Sequence, residues 1–163
     1  MAMRPIACLY PGPSGKPPTR YRLTFEPYPY DPAILAHLLE LLPRLLTPKF
    51  LVPERRRRPR RHRLSGMSRL AAQALYSLLD TDCLEVRTAL DRDGAPHFWL
   101  VGAGQLVDPT AAQYEDFPYH AGTPHSWTAA GTPIDIRTLL LMRKVLHFDG
   151  KPTPNSKLPQ LFW

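Results

Sequence analysis

Gly66-Met67-Ser68-Arg69-Leu70-Ala71-Ala72-Gln73-Ala74-Leu75-Tyr76-Ser77-Leu78-Leu79 is the stretch on which the fold turns. Leu70, Ala71, Ala74, Leu75, Leu78 and Leu79 recur at helical spacing, so residues 68–79 predict a helix with a broad apolar face, ended by Asp80-Thr81-Asp82. Ser68 stands at its start, where serine is a preferred N-cap and where the dipole and free backbone N–H groups favour an anion.

Downstream of that helix the hydrophobic period changes from helical to alternating. Cys83 to Leu90 predicts a strand with Leu84, Val86 and Thr88 on one side, and Asp91 to Pro96 predicts a turn. Pro96 to Val101 and Gln105 to Asp108 predict a hairpin around Gly102-Ala103-Gly104, and a last helix runs from about Ile134 to Leu146 with Leu139, Leu140, Met142 and Val145. Upstream, Thr19 to Glu26 predicts a strand with Tyr21, Leu23 and Phe25 on one face. Asp31 then caps a helix with Pro32 at its first position and Ile34, Leu35, Leu38, Leu39, Leu41 and Leu42 as its apolar face, which Pro43 should kink or end. Lys49 to Arg63 has neither period and reads as a loop or arm. Helices and adjacent antiparallel strands without repeated βαβ alternation predict an α+β fold.

The expected organisation is one domain with ragged ends. Residues 1–63 form a strand-helix extension with an arginine-rich loop packed on the same core, 64–147 the α+β core, and 148–163 a proline-rich tail. The chain has 163 residues, 44% of them hydrophobic, enough for a real core. Its 20 prolines cluster in 10–18, 27–32 and 151–159, where rigid extended segments and turns are expected. Two cysteines, Cys8 and Cys83, cannot build a disulfide framework, and both read as small structural residues in a reducing, cytoplasmic protein. The acidic neighbours of Cys83 would raise its thiol pKa rather than activate it. No apolar run approaches the roughly 20 residues that span a bilayer, and residues 1–9 lack a secretion signal's core. His62, His97, His120, His125 and His147 lack a metal-ligand spacing, and neither a metal nor another cofactor is expected.

A candidate site emerges from the hairpin. With the turn centred between Gly102 and Ala103, residue 97 lies opposite 108, 98 opposite 107, and 99 opposite 106. His97 and Asp108 are then direct cross-strand neighbours with Cβ atoms about 4.5–5.5 Å apart, close enough for a carboxylate to fix the imidazole tautomer. Ser68, His97 and Asp108 thus occupy nucleophile, base and orienting positions. Taken singly, each has a plainer reading: an N-cap, a hydrogen-bonded strand histidine, and a turn aspartate before Pro109.

The pieces Gly66-Met67-Ser68 with Ala74-Leu75-Tyr76-Ser77-Leu78-Leu79, His97-Phe98-Trp99-Leu100, and Val107-Asp108-Pro109-Thr110-Ala111-Ala112-Gln113-Tyr114 resemble a group of small phage and bacterial proteins. That group carries Gly-His-Cys before the same helix, a His-Trp strand and Asp-Pro-Thr, and is distantly similar to papain-like and transglutaminase-like cysteine hydrolases. Pro118-Tyr119 followed by Gly122, and Arg137 to Val145, extend the resemblance over about residues 64 to 147. It implies a papain-like helix packed on a small antiparallel sheet, acyl transfer at an amide or isopeptide bond, and a host-cytoplasmic location if phage-encoded. The chain departs where the chemistry sits: Ser68 stands at the family's cysteine and Met67 at the preceding histidine, while His97 and Asp108 are retained. A serine hydrolase, a pseudoenzyme and a cysteine exchanged for serine are all open, although loss of the neighbouring histidine as well argues against a single exchange.

Charge is concentrated in one place. Of a formal +7, +6 arises between Glu54 and Arg63, where Arg55, Arg56, Arg57, Arg58, Arg60, Arg61 and Arg63 face one glutamate. Contact with an acidic protein and contact with nucleic acid are equal alternatives for this run, beside that of a solvated loop. It ends five residues before Ser68, so it would flank the mouth of a site there, and Met67, Trp99, Tyr114, Tyr119 and Trp127 are candidates to line the pocket. The expected function is therefore a papain-like hydrolase or an inactive derivative; the alternative is a non-catalytic binding protein using the arginines.

Overall fold

The structure is a computed structural model, and it describes residues 25–81, 83–102, 104–125 and 135–153. The strand expected over 19–26 lies almost wholly outside the described residues, as does Trp127.

The predicted α+β class holds at the level of a small four-stranded antiparallel sheet packed with helices. After a two-residue strand β1 (Tyr28–Pro29), helix α1 spans Pro32–Leu45. The side chain of Asp31 caps it by accepting the Ile34 N–H at 2.9 Å, and Pro32 fills the first position, whose N–H has no intrahelical use. Pro43 neither ends nor begins a new element, since α1 continues past it to Leu45 with Leu42 and Leu46 still buried. The arginine-rich segment is less irregular than expected, holding a 3-10 turn at Pro48–Phe50 and a short helix α2 (Pro53–Arg56).

Helix α3 (Ser68–Leu78) is the centre of the molecule. Nine of its eleven residues are buried, so it is covered all round rather than on one stripe. Ala71, Ala72 and Ala74 let neighbouring elements approach its backbone closely, and all three are completely buried. It runs into β2 (Leu79–Asp80), which pairs in parallel with β1. Then follow β3 (Leu84–Leu90), β4 (Pro96–Gly102), β5 (Gln105–Val107) and β6 (Thr123–Pro124), in the sheet order β5-β4-β3-β6, and finally α4 (Ile136–Phe148). One apolar cluster runs from Phe25 to Leu146 through α1, α3, α4 and one face of the sheet. Leu84, Val86, Phe98, Leu100 and Val107 supply that face.

The opposite sheet face is covered by the chain itself. Between β5 on one edge and β6 on the other, residues 108–122 cross this face, with 3-10 turns at Ala111–Gln113 and Tyr119–Ala121. Gly122 ends the crossing against the indole of Trp99, where an added Cβ would come within 2.2 Å of the ring. Gly122 is therefore required by close approach, and overpacking of a filled site costs about 1–3 kcal/mol. Gly122→Ala should lower unfolding free energy by about that amount, measured by urea denaturation of the full chain.

Candidate functional site

Strand β4 places its residues alternately. Phe98 and Leu100 join the helix-side core, so His97 and Trp99 point to the face that residues 108–122 cover. The β4–β5 ladder pairs Leu100 with Val107, Val101 with Leu106 and Gly102 with Gln105. This register differs by two residues from the one expected, because β4 ends at Gly102 and β5 begins at Gln105, with Gly104 at φ 75°. A shift of two preserves the face, whereas a shift of one would have reversed it. Asp108 thus follows the end of β5 opposite Trp99, and reaches His97 diagonally.

His97 and Asp108 are brought together. His97 Nε2 lies 2.7 Å from Asp108 Oδ2, and both side chains are fully buried. Asp108 Oδ2 also accepts the Tyr119 hydroxyl at 2.8 Å, while Oδ1 accepts the Thr110 N–H at 2.8 Å and the Thr110 hydroxyl at 3.0 Å. A carboxylate with four donors is satisfied without water. Because it only accepts, Nε2 carries the imidazole proton, and Nδ1 is left as acceptor for Gln113 Nε2 at 3.4 Å. Trp99 stacks near the imidazole at a centroid separation of 5.9 Å, and Tyr114 and Phe117 meet it edge-on at 4.8 and 4.6 Å.

The surrounding phenols are held protonated. Burial, then the adjacent Asp108 charge and the hydrogen bond to it, raise the Tyr119 pKa well above its ordinary value. Burial and the 3.0 Å hydrogen bond to Asp91 do the same for Tyr114, which ties the crossing segment to the β3–β4 turn. At Asp91 burial acts upward, but hydrogen bonds from the Ala95 N–H, the Tyr114 hydroxyl and the Asp93 N–H outweigh it and lower the pKa.

Ser68 is beside the same strand and outside this network. It is the first residue of α3; Met67 precedes it as the cap, so the N-cap expectation for Ser68 shifts by one. Its hydroxyl accepts the Phe98 N–H at 3.3 Å instead of capping its own helix. Continuing the β4–β5 register would put Pro109 opposite Phe98, past the end of the ladder. Ser68 thus supplies an acceptor at the strand edge where β5 has stopped. No hydrogen bond joins Ser68 to His97, whose two ring nitrogens are engaged by Asp108 and Gln113.

A cavity of about 760 Å³ opens at the start of α3, lined by Met67, Ser68, Arg69, Gln73, Phe98 and Arg55 among others. Met67 lines it as expected. Trp99, Tyr114 and Tyr119 do not: strand alternation sends Trp99 with His97 to the opposite sheet face, and Tyr114 and Tyr119 belong to the segment that covers it. Sequence reasoning missed Gln73, Asp135 and Arg137 in this wall. The i, i+4 spacing from Arg69 to Gln73 signals one helix face, but nothing local places residues 135–137 beside it.

The arginine run is partly consumed by structure. Arg56 donates to the carbonyls of Leu51 and Lys49, Arg60 to that of Arg63, and Arg63 to that of Pro43, while Arg61 pairs with Asp93 at 3.1 Å. Arg55, Arg57 and Arg58 are exposed and carry no such bond. Cys83, read from the sequence as a small structural residue, is partly buried. Among the described residues no cluster of His, Cys, Asp or Glu could hold a metal ion, and no helix is long and apolar enough to cross a membrane.

No protein-family model, curated protein or solved structure matches the chain.

Asp108→Asn should cost at least about 3 kcal/mol, since it turns a carboxylate among donors into an amide and removes two charge-assisted bonds. Ser68→Ala should cost about 1 kcal/mol by removing the hydroxyl that accepts the Phe98 N–H; both follow from urea melts. The raised Tyr119 pKa stabilises the fold fully below its unfolded value of 10.0, and this contribution is lost as pH rises beyond that value. Tyr119→Phe should therefore show a flatter loss of stability above pH 10 than the wild type, measured by denaturant melts across the alkaline range.

Proposed function

We propose that this protein is a non-catalytic binding protein on a papain-like scaffold, which holds an acidic protein partner at the face formed by Arg55, Arg57 and Arg58. One observation carries this reading: the three residues in triad positions are spent on structure. Ser68 accepts the Phe98 N–H, and His97 is fully buried with Asp108 and Gln113 on its nitrogens. A general base must reach the nucleophile's proton within about 2.6–3.2 Å, directly or through one water. No direct hydrogen bond joins these two groups. Serine at a helix start also gains far less from the dipole than a thiol does.

An acidic protein fits the arginines better than nucleic acid does. Four of the seven arginines are committed to backbone carbonyls or to Asp93, so the free cations form a short patch rather than a track along a phosphate backbone. Stacking on bases needs exposed rings, and Phe50, the aromatic residue next to the arginine run in sequence, is buried.

Acyl transfer is the second reading, favoured by the 2.7 Å His97–Asp108 contact and by Ser68 in the first turn of α3 beside β4. An acyl-directed electrophilic probe, read by intact mass, separates the two. Neither wild type nor Ser68→Cys should show labelling that depends on His97, and labelling lost in His97→Ala would establish acyl transfer instead. On the binding side, Arg57→Gln with Arg58→Gln should weaken binding to polyglutamate several-fold, and the wild-type affinity should fall as salt rises. A salt-independent affinity, or preference for a DNA duplex over polyglutamate, would overturn the acidic-protein assignment.

A further inference from the structure

The cavity of about 760 Å³ lies between two parts of the chain that are fastened to each other. Phe50, Leu51 and Val52 line one side, together with Arg55 of α2. Arg56 holds that loop in shape by donating to the carbonyls of Lys49 and Leu51, and Arg137 of α4 ties it to the core through the Phe50 carbonyl. Met67, Leu70 of α3 and Phe98 of β4 line the other side. Phe50, Leu51, Met67, Leu70 and Phe98 are buried side chains that nonetheless border open space. A preformed apolar recess of this kind receives a side chain without first having to be ordered.

The charge on the wall has one sign in excess. Three arginines and one aspartate line the cavity, and that aspartate, Asp135, is hydrogen-bonded by Arg137. Arg69 is exposed, with its guanidinium over the Phe98 ring at 5.8 Å from the centroid. Arg55 belongs to two features at once. It lines the cavity, and it begins the exposed set Arg55, Arg57 and Arg58, in which Glu54 is the one neighbouring acid. The apolar recess and the free cationic patch are thus continuous through one side chain.

We propose that the acidic partner is recognised as a peptide segment with an aromatic anchor: the ring enters the cavity against Phe98 and Leu70, and flanking carboxylates meet Arg55, Arg57 and Arg58. This rests on the acidic-protein reading and names the segment that is recognised. A chain in extended form advances about 3.3 Å per residue, so one leaving the cavity past Arg55 brings its next few residues to Arg57 and Arg58. A ligand confined to the cavity would leave those two arginines unused, and a uniformly acidic chain would leave the apolar lining unfilled. An aromatic anchor buries a large area at small entropic cost.

Three peptides with blocked ends are titrated into the full chain by calorimetry: Asp-Glu-Asp-Phe-Asp-Glu-Asp, the same peptide with serine for phenylalanine, and the phenylalanine peptide with every acid replaced by its amide. The Met67 methyl resonance is followed by ¹H–¹³C NMR, with Met142, buried in the core and outside the cavity wall, as reference. The acidic phenylalanine peptide should bind about tenfold or more tightly than the serine peptide, the worth of burying one aromatic side chain. It should also bind several-fold more tightly than the amide peptide at low salt, and it should shift Met67 where the serine peptide does not. Val52→Trp, which sets an indole into the cavity from its partly buried rim, should bring the phenylalanine peptide down to the affinity of the serine peptide. If Val52→Trp does not fold, the peptide ratio and the Met67 shift decide. Equal affinity of the two acidic peptides, an unmoved Met67 resonance, or full affinity in folded Val52→Trp would overturn the inference and leave the acidic-protein reading standing. Binding of none of the three, or no preference for acids over amides, would overturn both.

Discussion

Alternation along β4 is the constraint on which the rest of the molecule depends. A strand sends successive side chains to opposite faces, so Phe98 and Leu100 enter the core around α3 while His97 and Trp99 face away from it. Two apolar side chains at these positions stabilise the helix side by several kcal/mol, at about 1.5–3 kcal/mol for each fully buried group. No single polar contact on the other face can reverse that choice. The position of His97 relative to Ser68 follows from it.

Once His97 and Trp99 faced outward, they had to be covered. The crossing segment does so with Phe117, Tyr119 and Tyr114, and Gly122 gives it the clearance to lie on the indole. A histidine sealed there needs partners for both nitrogens, and a buried carboxylate needs donors for both oxygens. Asp108, Thr110, Gln113 and Tyr119 meet both needs from one short stretch of chain. The His-Asp pair is thereby a fastening between the sheet and its cover. Ser68 plays a comparable part on the edge of β4, where it receives the Phe98 N–H.

Electrostatics divides the molecule differently. The dense run of arginines looks uniform in one dimension, yet Arg56, Arg60 and Arg63 close carbonyls of the loop and of α1. What remains free is Arg55, Arg57 and Arg58, of which Arg55 lines the cavity at the start of α3. Surface ion pairs such as Arg61–Asp93 add little, about 0–1 kcal/mol, so the fold does not depend on them.

The amino-acid sequence by itself determined the helices, the strands and the face on which most of their residues lie. The periods of Leu35 to Leu42, Leu70 to Leu78 and Leu84 to Thr88, and the cap at Asp31, are local physics, and the helix and strand boundaries agree within a few residues. The His97–Asp108 contact was legible too, even with the register two residues off, because a shift of two leaves the face unchanged. Tertiary structure alone decided which face of β4 meets α3, that residues 108–122 cross over His97, and that residues 135–137 close a cavity with Gln73 and Arg55. Those outcomes depend on how apolar faces compete for one core, and no window of local sequence contains that competition. Pro43 illustrates the same point in reverse: a helix breaker in isolation, it is carried within α1 because Leu41, Leu42 and Leu46 are buried on either side of it.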